Sequence, residues 1–98
     1  MKIKILHEAE KDLEEAYRFY ESQSSDLGLY FLDSLYSDID SLTYFAGIHP
    51  VVFGSNRLLS KRFPFAVYYR TIDDAVVIFA ILDCRRNPIS TMKRLKKG

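Results

Sequence analysis

The chain has 98 residues, of which 48% are hydrophobic and 28% are charged, and its net charge is +1. These values are typical of one globular domain and exclude a disordered chain, and the longest apolar run, residues 75–82, is far shorter than the ~20 residues of a membrane helix. We therefore expect a single domain over residues 1–98, located in the cytoplasm because the N-terminal stretch is too rich in charges for a signal peptide.

The first half of the chain predicts one strand followed by two helices. Residues 2–6 alternate polar and apolar side chains, as a half-buried strand does. From Glu8 to about Ser22 apolar residues recur at helical spacing, and residues 26–45 repeat this pattern. Because the polar loop between the two segments is short, the helices are expected to form an antiparallel hairpin.

The segment after the helices predicts a connection and two strands. Residues 48–54 contain a proline and end in a glycine, which indicates a connection rather than regular structure. Residues 57–63 are expected to form a strand that Pro64 interrupts. Residues 65–71, rich in aromatic and β-branched side chains, predict the next strand.

The last part of the chain predicts a hairpin, a central strand and a tail. Asp73 and Asp74 indicate a tight turn. Residues 76–82 are apolar at every position, which is typical of a strand buried on both faces. The predicted order is therefore β-α-α-β-β-β, an α+β fold in which a two-helix hairpin packs on one face of an antiparallel sheet. Residues 89–98 are expected to form a mobile basic tail after Pro88.

Charge is distributed unevenly along the chain. Residues 1–53 carry four basic and ten acidic side chains, a net charge of −6, whereas residues 54–98 carry ten basic and three acidic ones, a net charge of +7. A basic half indicates an anionic partner, either nucleic acid or an acidic protein segment. The alternative is that an acidic helical layer complements a basic sheet within one fold.

Several segments of the sequence resemble a known toxin family. The stretches RFPFAVYYR and DDAVVIFAILDCRRNP resemble the C-terminal half of RelE/ParE-type toxins of type II toxin–antitoxin systems. The opening strand and the stretch EAEKDLEEAYRFYE resemble the first strand and first helix of the same toxins. The resemblance implies a cognate antitoxin as partner in a hetero-oligomer, with an extended or helical antitoxin segment wrapped around the toxin.

One activity that the resemblance implies is metal-independent cleavage of mRNA on the ribosome, as in RelE-type toxins. Such cleavage needs cations at the phosphate and a group that transfers protons. Nuclease relatives carry an arginine where this chain has Phe65, and they have a tyrosine or histidine after the last strand that this chain lacks. The candidate catalytic cations are Lys61, Arg62, Arg70, Arg85 and Arg86. The alternative is that these are exposed charges that keep the sheet edges soluble.

The resemblance is closer to the ParE branch, whose members poison DNA gyrase by binding it. We accordingly expect a gyrase inhibitor rather than an enzyme, with DNA gyrase as target and the ribosome with its mRNA as the alternative. A second alternative is an inert family member that only binds its antitoxin. The residues expected to contact the target are Arg85, Arg86, Lys93, Arg94, Lys96 and Lys97.

The antitoxin surface is expected on the face of the central strand that the helices leave bare. Val77, Phe79 and Ile81 alternate with a second apolar set, so one set lacks a cover, and exposed apolar patches mark partner sites. Tyr68 and Arg70 on the preceding strand are expected to contribute to this surface. The alternative is that helix ends and the tail cover the same face.

Metal and cofactor motifs are not found in the sequence. His7 and His49 are isolated, and the lone Cys84 lies near neither of them, so a zinc site is not expected. No glycine-rich phosphate loop occurs. We expect neither a metal ion nor a cofactor, and no membrane partner.

Overall fold

The computed structural model describes residues 1–96 of the chain. It has an α+β architecture in which helices pack on a five-stranded sheet. The elements in chain order are β1 (Lys2–Ile5), α1 (His7–Gln23), α2 (Leu27–Asp40), α3 (Leu42–Phe45), β2 (Val51–Val52), β3 (Ser55–Leu59), β4 (Phe65–Ile72), β5 (Ala75–Asp83) and α4 (Pro88–Lys96). In the part of the chain that the structure describes, no helix is both long and apolar enough to cross a membrane.

The strand order in the sheet is β1-β5-β4-β3-β2. Strands β2 to β5 pair antiparallel, as predicted, and β5 is a central strand between β1 and β4. Strand β1 differs, since it pairs parallel with β5. A parallel neighbour needs a long crossover connection, and here the two-helix hairpin and the rest of the sheet lie between the two strands.

The predicted hairpin turn at Asp73 and Asp74 is confirmed. Both residues have positive φ angles, 49° and 63°, as the tight turn between two twisted antiparallel strands requires. The predicted connection over residues 48–54 contains the two-residue strand β2, and a second turn follows it at Phe53 and Gly54, which also have positive φ angles. Strand β3 begins two residues earlier than predicted and ends before the proline.

The helical hairpin is close to the prediction, but its second helix is interrupted. The helix predicted over residues 26–45 is divided at Ser41 into α2 and α3. The Ser41 hydroxyl donates a hydrogen bond to the carbonyl oxygen of Asp38 at 2.6 Å, which is the local bonding by which serine competes with a continuous helix. Near the start of α2 the backbone of α1 approaches Gly28 so closely that a Cβ there would lie 2.8 Å from the carbonyl oxygen of Tyr17.

The main core lies between the helical hairpin and one face of the sheet. Its largest fully buried side chains include Phe31, Leu35 and Tyr69. Phe65 belongs to this core, with its ring centroid 5.1 Å from that of Phe31. The apolar stripes of the predicted helices therefore pack where the sequence pattern placed them, against alternate residues of β4 and β5.

A β-bulge in β5 changes which residues face the helices. Tyr68 is opposite Ala80 and Tyr69 is opposite Ile78, so Phe79 is the extra residue of the bulge. Before the bulge Ile78 faces the helical core, and after it the core-facing residue is Ile81.

The bulge overturns part of the predicted antitoxin surface. Simple alternation along the sequence predicts that Val77, Phe79 and Ile81 share one face. Ile81 instead lies in the core beneath the helices, with 1% of its surface exposed. An inserted residue shifts the two-residue period by one, so every side chain beyond it changes face.

The expected mobile tail is a helix over the residues that the structure describes. Residues 88–96 form α4, and its Leu95 packs on the sheet face opposite the helical hairpin with 2% of its surface exposed. The sequence pattern predicts a mobile basic tail over residues 89–98 and does not predict this helix, and residues 97 and 98 lie outside the described part of the chain. Pro88 starts this helix, because a proline at the first helical position loses no hydrogen bond.

Candidate functional site

The face of the sheet turned away from α1 and α2, here called the open face, carries most of the predicted site residues. In β4 and β5 its side chains are Ala66, Tyr68, Arg70, Val77, Phe79, Ala80 and Leu82. Helix α4 covers one end of this face, where Leu95 packs on Tyr68, Ala80 and their neighbours. The alternative that the C-terminal segment covers the bare face therefore holds for the part of it around Tyr68 and Ala80.

A bidentate ion pair attaches α4 to the helical layer. Arg94 donates to both carboxylate oxygens of Asp12 in α1, at 2.9 and 2.7 Å, and the two side chains are only 21% and 11% exposed. The same carboxylate accepts a hydrogen bond from the backbone N–H of Ile81 at 3.0 Å. The carboxylate of Asp12 raises the pKa of Arg94. Arg94, predicted as a target contact, is therefore already paired with Asp12 within the fold.

Among residues 1–96, no helix packs over the other end of the open face. Here the Arg70 guanidinium lies 4.5 Å above the ring centroid of Phe79, and its Nε donates to the Ser55 hydroxyl at 3.2 Å. In the β1–β5 register, Lys4 of β1 lies beside Val77 of β5. We call this end the uncovered patch; its residues are Lys2, Lys4, Arg70, Ile72, Val77 and Phe79.

Two groups of the predicted antitoxin contacts are separated by this arrangement. Val77, Phe79 and Arg70 meet in the uncovered patch, whereas Tyr68 lies in the part that α4 covers. The patch is less bare than expected, because Phe79 is shielded by Arg70 and Val77 is buried. Lys2 and Lys4 were not predicted from the sequence. The alternation of the first strand already places them on the face opposite to the core residues Ile3 and Ile5.

The cations suggested for a nuclease site do not share one cavity. Lys61 and Arg62 lie in the turn between β3 and β4, where the backbone N–H of Lys61 is 3.4 Å from a carboxylate oxygen of Asp38. Arg85 donates to both carboxylate oxygens of Asp83, at 2.9 and 2.6 Å, so its charge is largely neutralised. Of the five candidates, Arg86 lines the two cavities beside the end of β5, and the other four do not.

Groups for proton transfer are poorly suited to catalysis near these cations. Burial raises the pKa of the Tyr68 phenol, and only smaller opposing effects come from Arg57 and Arg86. Burial likewise raises the pKa of Tyr20, which neighbours Arg85. Phe65, at the position of the nuclease arginine, is in the core. A phenol with a raised pKa is protonated at neutral pH and is a poor general base.

Arg57 is the residue of this region that the sequence analysis did not single out. It is directly opposite Tyr68 in the β3–β4 register, on the open face, and it lines a cavity with Arg86 and Cys84. The signal was the alternation in β3, where Leu58 packs into the core and its neighbours therefore point to the other face. Burial raises the pKa of the Cys84 thiol, so the nearby arginines do not make it a reactive thiolate.

The remaining target-contact candidates lie at the surface. Arg86, Lys93 and Lys96 are exposed, and Lys97 lies outside the described residues. Among residues 1–96, no group of three or more His, Cys, Asp or Glu side chains is arranged to hold a metal ion.

Comparisons with known proteins agree with this fold. A family model described as the ParE toxin of type II toxin-antitoxin system, parDE, matches residues 3–88. A solved structure described as the chromosomal ParDE TA system from P. aeruginosa is similar to the chain with a TM-score of 0.75 and 23% sequence identity, covering 83% of this chain and 92% of that one. A search of the curated proteins gives no match. The matched family region ends at Pro88, the residue at which α4 begins.

Proposed function

Because this chain belongs to the ParE toxin family of type II toxin–antitoxin systems, we propose that it inhibits bacterial growth by poisoning DNA gyrase and that a cognate antitoxin neutralises it. The observation that carries this proposal is the dispersal of the nuclease candidates. Arg85 is paired with Asp83, and Phe65 lies in the core at the position where nuclease relatives carry an arginine. The separation of these candidates supports action by binding rather than by cleavage.

The proposed target contacts are the exposed cations near the C-terminal end of the chain. Arg86, Lys93 and Lys96 are exposed, and no ion pair within residues 1–96 includes any of them. Such charges attract an acidic protein surface or DNA held by gyrase. Arg85 contributes more weakly, since it remains exposed but shares its charge with Asp83.

A supercoiling assay with purified gyrase tests the target. The wild-type chain is expected to inhibit supercoiling and to leave broken DNA. A variant with Arg86, Lys93 and Lys96 all changed to Ala is expected to need about tenfold more protein for the same inhibition. Each lost contact to a charged group weakens binding to the target. Lys11→Ala, an exposed cation on α1, is the control and is expected to inhibit like the wild type. No inhibition and no DNA breakage at any concentration would reject gyrase as the target.

A ribosome assay tests the nuclease alternative. Purified chain mixed with translating ribosomes is expected to leave the mRNA intact. Cleaved mRNA, together with loss of cleavage in Arg85→Ala, would replace the gyrase proposal with a RelE-type activity.

The antitoxin is proposed to cover the uncovered patch. This patch joins apolar side chains to three cations, Lys2, Lys4 and Arg70, and among residues 1–96 no ion pair includes them. A segment that alternates acidic and apolar residues fits both features, either as a helix or as an added strand. The proposed setting is the cytoplasm, and stabilisation of a plasmid is a proposed consequence of the pairing.

Phe79→Asp is expected to weaken antitoxin binding. The change puts a charge at the centre of the patch and removes the ring beneath Arg70, so we expect at least a tenfold higher Kd, corresponding to about 1.4 kcal/mol. Calorimetry with the co-expressed antitoxin measures it, and Tyr44→Asp, on an exposed side chain of α3, is the control. Unchanged affinity in a folded Phe79→Asp variant would place the antitoxin elsewhere.

A further inference from the structure

A cavity of about 180 Å³ opens where the end of β5 meets the start of α4 and the turn between β2 and β3. Its wall includes two arginines from separate parts of the chain, Arg57 in β3 and Arg86 after β5, together with the Tyr68 phenol between them. A single water molecule occupies roughly 30 Å³ in the liquid, so the space is large enough for a tetrahedral oxyanion with some water.

The wall of this cavity carries two positive side chains, Arg57 and Arg86, and one negative side chain, Asp83. Among residues 1–96, no ion pair includes Arg57 or Arg86. Asp83 also lines the wall, but both of its carboxylate oxygens accept hydrogen bonds from Arg85. The guanidinium pair therefore faces the cavity without a carboxylate committed to it.

Arg57 also has an unmet hydrogen bond. Its Nε is shielded from solvent and has no acceptor among the described residues. A buried donor without a partner is unfavourable, and a bound ion or water is one of the explanations for such a group in a native protein.

Neutral donors surround the two arginines. Burial raises the pKa of Tyr68, so its hydroxyl keeps its proton and can donate to an anion. Thr91 of α4 is buried at the same wall. Pro88 on this wall is the first residue of α4, so the positive end of the helix dipole lies beside the cavity.

We propose that this cavity binds a phosphate group, with Arg57 and Arg86 as charged donors and the Tyr68 hydroxyl as a neutral donor. A phosphate ion is favoured over a carboxylate because two guanidinium forks and a phenol offer more donors than the two oxygens of a carboxylate can accept, whereas the ion has further oxygens. A backbone phosphodiester has only two free oxygens, and the two guanidinium groups would be its charged donors. The phosphate is either a free ion or part of a nucleic-acid backbone. The inference goes beyond the proposed function and does not depend on gyrase being the target, because the isolated chain carries the whole site.

An NMR titration of the purified chain with inorganic phosphate tests the site. The ionic strength is held constant, and chloride is the control anion. We expect saturable shifts at the backbone amides of Arg57, Tyr68 and Thr91. Arg57→Gln and Arg86→Gln are each expected to weaken binding about tenfold or more, the usual effect of removing a charged hydrogen bond. Arg62→Gln removes the same charge from an exposed turn outside the cavity and is expected to bind like the wild type. Arg86 is itself exposed, so its variant keeps the proposal testable if Arg57→Gln fails to fold.

Two further ligands identify the source of the phosphate. The first is a short single-stranded dT oligonucleotide. If it binds the wild type more tightly than inorganic phosphate does, and binds Arg86→Gln more weakly, the site is assigned to a nucleic-acid backbone. Inorganic phosphate binding without oligonucleotide binding assigns it to the free ion. Any of three results would overturn the proposal. These are no saturable phosphate binding, phosphate binding by Arg57→Gln and Arg86→Gln that equals that of the wild type, and tighter binding of a glutamate peptide than of either phosphate ligand. A failed gyrase assay with intact phosphate binding would reject only the proposed target.

Discussion

Tyr69 illustrates at the residue scale how one side chain joins the helical layer to the sheet. Its ring is fully buried in β4, and its hydroxyl accepts a hydrogen bond from the backbone N–H of Gly47 at 2.9 Å. Nδ1 of His49 also forms a hydrogen bond with this hydroxyl. The connection from α3 to β2 is held in place by these two bonds.

His49 is expected to make stability dependent on pH. Burial lowers the pKa of His49 below its ordinary value of 6.5, so the unfolded chain takes up a proton at a higher pH than the folded one. The contribution of His49 is therefore complete above about pH 6.5 and is lost as the pH falls below that value. The loss cannot exceed about 1.4 kcal/mol per pH unit, the limit for one proton.

Urea denaturation between pH 7 and 5 measures this effect. The free energy of unfolding is expected to fall less steeply in His49→Gln than in the wild type, because glutamine can still accept from Tyr69 but does not titrate. Identical slopes for both proteins would show that His49 has the same proton affinity in the folded and unfolded chains.

The helical hairpin depends, at the scale of the element, on one close approach. A Cβ at Gly28 would lie 2.7 Å from the Tyr17 ring and 2.8 Å from the Tyr17 carbonyl oxygen. The Glu21 carboxylate also accepts from the backbone N–H groups of Asp26 and Gly28, at 3.1 and 3.0 Å, which stabilises the N-terminus of α2. The loop and the first turn of α2 are thus fixed by α1.

Gly28→Ala is expected to destabilise the protein although alanine is the better helix former. Helix propensity favours alanine by about 1 kcal/mol, but overpacking against a backbone oxygen costs about 1–3 kcal/mol, so a net loss is expected. Thermal denaturation measures it, with Ser37→Ala on the exposed side of α2 as a control that should change stability by less than about 0.5 kcal/mol. A Gly28→Ala protein more stable than the wild type would mean that α1 and α2 can move apart at this contact without a loss of folding free energy.

Helix α4 is held by contacts that join distant parts of the chain. Arg94 and Asp12 are 82 residues apart in sequence, and Leu95 is the only buried residue of α4 besides Thr91 within residues 88–96. A short helix of this length is not stable by itself, so its order comes from these contacts.

Arg94→Gln is expected to loosen α4 while the sheet stays folded. Removing a partly buried charged hydrogen bond costs about 1.5–3 kcal/mol, and hydrogen exchange of the backbone amides of residues 92–96 should accelerate accordingly. Lys93→Gln removes an exposed charge from the same helix and is the control. Equal acceleration in both variants would attribute the effect to net charge rather than to Asp12.

The whole molecule keeps the charge asymmetry of its sequence. Among residues 1–96 three ion pairs form, and Arg94–Asp12 is the one that joins the acidic first half to the basic second half. Arg18–Glu14 and Arg85–Asp83 each stay within one half. Mutual neutralisation of the two halves is therefore limited, and the basic side remains suited to an anionic partner.

Expression of the chain alone in bacteria is expected to arrest growth, and co-expression of its antitoxin is expected to restore it. Counting colonies with and without antitoxin measures this, and an Arg86, Lys93 and Lys96 triple alanine variant at equal protein level should be less toxic. Normal growth at a verified level of folded protein would favour the inert, antitoxin-binding alternative.

The sequence by itself determined the features that depend on neighbouring residues. The helical hairpin, the β4–β5 turn at Asp73 and Asp74, and the central position of β5 all follow from local periodicity and turn chemistry. The family resemblance rested on the same local segments, and the family match over residues 3–88 confirms it.

Only the tertiary structure decided which residues meet. The bulge at Phe79 places Ile81 in the core, Asp12 accepts from the Ile81 backbone across 69 residues of sequence, and α4 covers one end of the open face. The cavity of Arg57 and Arg86 arises in the same way. An alternation pattern cannot reveal an inserted bulge residue, and contacts between distant segments depend on packing that no local pattern encodes.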